Sequence, residues 1–226
     1  LLAANTTLAC DANVLSFRRL AKWYGIPHMS IDVPASTGED AVDYVAQQLR
    51  GLSQLIEETA GRKLDEGRLK ETVARSRRTV AHYRDYLRRR GTRSVSDIMT
   101  SELFSLVATH VLLGTKESEK YAKDLAADLD RIPEGFRGKR LLWIHILPSW
   151  QESMASIFNT NDRCEIVASD ITLDGLVDLD PQKPYESMAR RVVLGLCNGG
   201  AGRRIAANLE YAEQLNAHGI ILFCHW

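Results

Sequence analysis

Two cysteines stand where an iron-binding site could be built. Cys10 follows the short apolar run Leu1-Leu2-Ala3-Ala4 and its turn formers Asn5, Thr6 and Thr7. It directly precedes a stretch from Asp11 in which Val14, Phe17, Leu20 and Ala21 recur at helical spacing, closed by Gly25. Cys224, His225 and Trp226 follow the strand-like run Ile220-Ile221-Leu222-Phe223. Ligands of open α/β sheets gather at the carboxyl ends of parallel strands, so both groups fall at the end where chemistry is expected. A thiol at the mouth of a helix also faces the partial positive charge of unsatisfied N–H groups, a setting that suits an iron-ligating sulfur. Position alone still favours the plainer alternative, four reduced cysteines that are mostly packed in the core.

The remaining chemistry-bearing residues point less clearly. Cys164 opens a strand, at the end of a sheet away from any site, and reads as packing; Cys197 precedes a glycine loop and reads as a small core residue. No C-x-x-C pair occurs, which sets aside zinc fingers and ribbons. The loop Asn198-Gly199-Gly200-Ala201-Gly202 fails the G-x-G-x-x-G spacing because Ile205 occupies the third small position, so it reads as a helix connector. Neither G-x-x-x-x-G-K-[ST] nor G-x-S-x-G is present. Of His28, His82, His110, His145, His218 and His225, two, His145 and His225, sit in or after strand-like runs and face the likely cleft, and His225 alone has a site-like neighbourhood.

These residues need a scaffold of parallel strands, and the periodicity supplies one. Leu1–Ala4, a helix from Asp11, and Pro27–Val33 make a βαβ unit. A helical block follows. Thr37 with Asp40 resembles a capping box before Val45, Leu49, Leu52 and Ile56. The next helix turns Leu69, Val73, Val80, Tyr83 and Leu87 inward and ends at Gly91. Its opposite face carries Arg75, Arg77, Arg78, Arg84, Arg88, Arg89 and Arg90, which reads as a solvated surface, with a landing site for an acidic or phosphate-bearing partner as the alternative. A helix near 96–113, apolar nearly all round, is expected to be buried, and another spans about 118–130. Beyond Pro133 and Gly135 the pattern returns to α/β. It gives strands at Arg140–Leu147, Glu165–Ala168 and Ile220–Phe223, and helices near 148–159, 185–196 and 203–217 with a polar loop at 173–182. The fold class is therefore α/β, with two Rossmann-like parallel-sheet lobes over residues 1–35 and 136–226 and a helical block over 36–135.

Composition bounds the function. Hydrophobic residues at 45% and charged residues at 26% can build an ordinary core. Twenty-nine basic against 29 acidic residues leave no basic footprint for nucleic acid. No run is long and apolar enough to span a membrane, and Leu1–Asn5 lacks the marks of a signal peptide. With no disulfide framework either, a cytoplasmic setting is expected. The start inside an apolar run and the stop just past a strand suggest a piece of a longer chain, with the second lobe incomplete at its carboxyl end.

Beyond these patterns, an ordered set of motifs resembles the 2-hydroxyacyl-CoA dehydratase family. It comprises Ala3-Ala4-Asn5-Thr6-Thr7-Leu8-Ala9-Cys10-Asp11, Gly25-Ile26-Pro27 with Ile31-Asp32-Val33-Pro34, and Tyr44 with Gln47-Gln48-Leu49. Gly61 with Lys63-Leu64, Arg140-Leu141-Leu142-Trp143 with Pro148 and Trp150, and Ala168-Ser169-Asp170-Ile171 continue it, and His218-Gly219-Ile220-Ile221 with Cys224-His225-Trp226 closes it. The family comprises the dehydratases, benzoyl-CoA reductase subunits and double-cubane cluster proteins. The resemblance implies a [4Fe–4S] cluster, or an [8Fe–9S] double cubane, with Cys10 as the best-matched ligand and Cys224 as a near neighbour of the last ligand or, in a double cubane, an additional one. His225 and Trp226 are then expected beside the cofactor. It further implies an anaerobic lyase acting on an acyl-CoA thioester through a ketyl radical, an ATP-dependent iron–sulfur activator as electron donor, and a dimer with a homologous or identical subunit. A double-cubane reductase of small molecules is the alternative within the family, and a non-catalytic α/β ligand-binding module is the alternative outside it.

Overall fold

The computed structural model describes residues 1–8, 10–95, 97–159 and 162–224. β1 (Ala3–Thr6), α1 (Asp11–Tyr24) and β2 (His28–Ile31) form a βαβ unit whose two strands pair in parallel, Ala3 opposite His28 and Thr6 opposite Ile31. Gly25 closes α1 in the left-handed conformation and returns its N–H to the Ala21 carbonyl. Of the apolar residues that recur along α1, only Ala21 is buried, and Trp23 is 77% exposed. The period is helical as expected, but it marks a face turned to solvent.

α2 (Glu39–Ala60) starts from Gly38 with no side-chain cap, which corrects the expected Thr37–Asp40 capping box: the helix begins too late for Thr37 to reach it. Ala41, Val42, Val45 and Ala46 are buried, while Ile56 is exposed. α3 (Glu66–Arg90) is capped by the Asp65 carboxylate, which accepts the Arg68 N–H at 2.9 Å, and buries Val73, Val80, Tyr83 and Leu87 as the spacing predicts. Gly91 follows α3 in a right-handed conformation rather than as a left-handed cap. Arg90 overturns the reading of a uniformly solvated arginine face. It is 1% exposed and pairs with the buried Glu165.

α4 (Ile98–Leu106) runs on into a π-helical turn, Val107–Val111, and α5 (Lys116–Asp128) packs along α3. The expectation of a wholly buried helix here is corrected. Ile98, Met99, Glu102 and Ser105 form the inward face, whereas Leu103, Phe104, Val111 and Leu112 are exposed. The inward face contains a carboxyl group, so hydrophobicity alone could not identify it. Glu102 is fully buried and its Oε2 accepts from the Ser169 N–H at 3.0 Å and the Thr172 hydroxyl at 2.9 Å.

Burial pushes the Glu102 carboxyl above its ordinary range, and these hydrogen bonds only partly oppose the shift. The folded state therefore holds a proton that the unfolded chain releases near pH 4.5. Its stabilising share is complete below that pH and declines as pH rises through the higher folded value. Glu102→Gln, which keeps the acceptor and cannot ionise, is expected to flatten the fall in melting temperature between pH 5 and pH 8. A parallel fall in both proteins would show that another group titrates.

The second sheet holds β3 (Lys139–Ile144), β4 (Cys164–Ser169) and β5 (Gly219–Leu222), all parallel in the order β4-β3-β5. α6 (Glu152–Phe158) links β3 to β4, and it begins later than the expected start at Pro148. α7 (Asp170–Leu173), α8 (Pro184–Val193) and α9 (Ala201–Gln214) link β4 to β5. The stretch 173–182, expected to be polar, buries Leu173, Leu176 and Leu179. β5 is an edge strand rather than a buried one, with Leu222 65% exposed.

Trp143 of β3 packs edge-on against Phe158 with ring centroids 5.8 Å apart, and donates its indole N–H to the Ile146 carbonyl at 3.1 Å. The helical block ties the sheets together. α2 packs on β2 through Ile31 and on α8 through Ala189 and Val193, flanked by ion pairs Arg190–Glu39 and Arg50–Glu186. No helix of the described residues is long and apolar enough to cross a membrane.

Candidate functional site

Parallel strands expose their last carbonyls at one end of the sheet, and both sheets place polar groups there. In the first, Cys10 is the residue before α1, in extended conformation (φ −151°) and with no side-chain hydrogen bond to the helix. Its N–H donates to the Leu8 carbonyl at 3.0 Å and its carbonyl accepts from Asn13 at 3.1 Å. The thiol is exposed at the mouth of a 14-residue helix. In the same sheet, Asp32 follows the last residue of β2 and is bound by Thr7, Tyr44 and Gln48.

In the second sheet the chain passes from central β3 to β4 on one side and then to β5 on the other. The strand order therefore reverses between β3 and β5, which is where α/β sheets open a ligand crevice. Ile144 pairs with Leu222, and Phe223 donates its N–H to the Ile144 carbonyl at 3.1 Å, so His145 and Cys224 leave the sheet from neighbouring strand ends. His145 has φ +82°, an unfavourable conformation for a residue with a Cβ. Its N–H donates at 2.7 Å to Oδ1 of Asp170, the first residue beyond β4. The other Asp170 oxygen accepts from Arg204 Nε at 2.9 Å. One buried carboxylate thus fixes both the turn after β3 and the first turn of α9.

A second carboxylate, half-buried, follows α7. Asp174 Oδ1 accepts the Leu196 and Cys197 N–H groups, and its Oδ2 lies 4.0 Å from His110 Nε2. Burial, and next the nearby Arg191, holds the His110 ring below the ordinary histidine range, so it is neutral at pH 7. Burial, aided by Asp174, pushes the Cys197 thiol up to about 11. Cys197 is therefore a protonated, half-buried thiol. Cys164 stands at the amino end of β4 and packs against the Trp143–Ile166 cluster.

The four cysteines are not mostly buried: Cys10 and Cys224 are exposed and the other two half-buried. Cys10 and Cys224 emerge from different sheets, and among the described residues no group of three or more His, Cys, Asp or Glu side chains is gathered to hold a metal ion. His225 and Trp226 lie outside the described residues. The two exposed thiols match iron in donor type and access, and a cubane needs more ligands than these two.

Periodicity did not single out Asp32, Asp170 or Arg204 as functional. The rule that selected Cys10 could have found the two aspartates, since each is the first residue after a parallel strand. A family model described as 2-hydroxyglutaryl-CoA dehydratase, D-component, matches residues 1–226. No curated protein matches the chain.

Proposed function

The chain belongs to the 2-hydroxyglutaryl-CoA dehydratase D-component family, and from that premise we propose that it is an iron–sulfur subunit of a cytoplasmic 2-hydroxyacyl-CoA dehydratase. The observation that carries this reading is the exposed thiol of Cys10 at the junction of a parallel strand and a helix mouth. Cys10 and Cys224 are the proposed sulfur ligands, with His225 and Trp226 beside the cofactor. One electron at very low potential is the chemistry a bound [4Fe–4S] cluster supplies. In the proposed reaction an ATP-dependent activator provides that electron, and the acyl-CoA thioester takes it up as a ketyl radical, loses its 2-hydroxyl and a neighbouring proton as water, and gives the electron back. A homologous or identical subunit completes the dimer.

This chain's own residues contribute position. The helix mouth orients Cys10, while Asp170 holds the β3 turn and Arg204 against each other at the crevice where Cys224 emerges. The test is iron and sulfide content with an absorption spectrum, on anaerobically purified protein and on Cys10→Ser. About four irons per chain, lost or disordered in the variant, is the expected result. About eight would favour the double-cubane reductase. A colourless protein would leave a ligand-binding α/β module.

A further inference from the structure

The first sheet ends in a set of side-chain hydrogen bonds that the ligand reading of Cys10 does not use. Thr7 is the first residue after β1. Its N–H donates to the Ile31 carbonyl at 2.9 Å, and its hydroxyl accepts from the Val33 N–H at 2.9 Å while donating to Asp32 Oδ1 at 3.3 Å. Gln48 of α2 grips Asp32 by both backbone groups, accepting its N–H and donating to its carbonyl, each at 2.8 Å. The Tyr44 hydroxyl donates to Asp32 Oδ2 at 3.1 Å.

Apart from the half-buried Thr7–Val33 bond, these side-chain bonds are exposed and add little to stability, because water can replace each of them. Their effect here is geometric. Three residues from two strand ends, Thr7, Asp32 and Val33, are cross-linked to α2, and Thr7 lies three positions before Cys10. The Cys10 N–H is itself returned to the Leu8 carbonyl. Cys10 is therefore held from both sides, by this bond and by α1.

We infer that Thr7, Asp32, Tyr44 and Gln48 are positioning residues, which fix the β1–α1 loop so that the Cys10 sulfur is presented to iron in one orientation. The inference rests on the reading of Cys10 as a ligand. Groups that orient a metal ligand without touching the metal commonly govern 10- to 100-fold of metal retention. A loop freed at Thr7 would let the sulfur leave more often, with the core untouched.

The experiment compares anaerobically purified parent protein with Thr7→Val, Thr7→Ser, Gln48→Ala and Cys10→Ser. Iron release to a chelator, the spectrum of the reduced cluster and the melting temperature are measured on each. Thr7→Val and Gln48→Ala are expected to release iron about 10-fold or more faster with an altered spectrum and an unchanged melting temperature. Thr7→Ser, which keeps the hydroxyl, is expected to behave as the parent. Parent-like release and spectrum in both Thr7→Val and Gln48→Ala, with the cluster lost in Cys10→Ser, would overturn the positioning role alone. Full iron retention in Cys10→Ser would overturn the ligand reading and this inference with it.

Discussion

Arg90→Met is expected to destabilise the fold by about 3–5 kcal/mol, the range found when one member of a buried ion pair is removed. Arg90 spends every part of its guanidinium inside the protein. Nε donates to the Tyr86 hydroxyl at 3.2 Å, Nη1 to the Arg93 carbonyl, and Nη2 to both Glu165 and the Ile166 carbonyl at 3.2 Å. Glu165 also accepts the Val95 N–H at 2.6 Å, so the pair bolts the end of α3 and the chain after it onto β4.

Methionine fills much of the volume and leaves the carboxylate alone in a dry site. Burial already pushes the Glu165 carboxyl upward, against the pull of Arg90. Without Arg90 the group should take up a proton on folding. The deficit should then shrink toward low pH and grow as pH rises above the ordinary carboxylate range, near 4.3. Denaturant unfolding at pH 5 and pH 8 measures this directly. Arg90→Met combined with Glu165→Gln is expected to recover part of the loss, because no unpaired charge remains. A single-variant loss under about 1 kcal/mol would place the pair in water.

Asp170→Ala is the second large effect, about 2–3 kcal/mol. It removes the acceptor of the His145 N–H and the counter-charge of Arg204, whose own side chain is about one-third exposed and keeps some solvent. Asp170→Asn separates the two contributions, since its side-chain oxygen can still accept from His145. It is expected to cost less than half as much, by the same unfolding measurement. Equal losses in the two variants would assign the whole effect to the charge on Arg204.

The alternation of strands and helices was legible because parallel strands are near-continuous apolar runs and helices repeat near 3.6 residues. What the period could not say is whether a face has a partner. Leu20 on α1 and Leu222 on β5 obey the pattern and face solvent. Nor could it separate Arg90 from its six arginine neighbours on α3, since only the tertiary approach of Glu165 makes that position dry. Glu102 hid for the same reason, a carboxyl in an apolar helix whose inward side is decided by Ser169 and Thr172. Cys10 was singled out by position, after a parallel strand and before a helix, and it stands there with an exposed thiol. The left-handed turn at His145 has no signature at all in a residue that usually avoids it.

The strand order β4-β3-β5 also sets a timetable. β3 meets β4 after a short crossover, but its other neighbour begins 78 residues later, counting from Arg140 to His218. At ribosomal rates of about 5–20 residues per second, the central strand waits roughly 4–16 s with one edge open. During that interval the apolar run Leu141-Leu142-Trp143-Ile144 is a template for any passing strand. Slower growth at lower temperature, with chaperones in excess, should therefore raise the soluble yield more than any change to the finished fold.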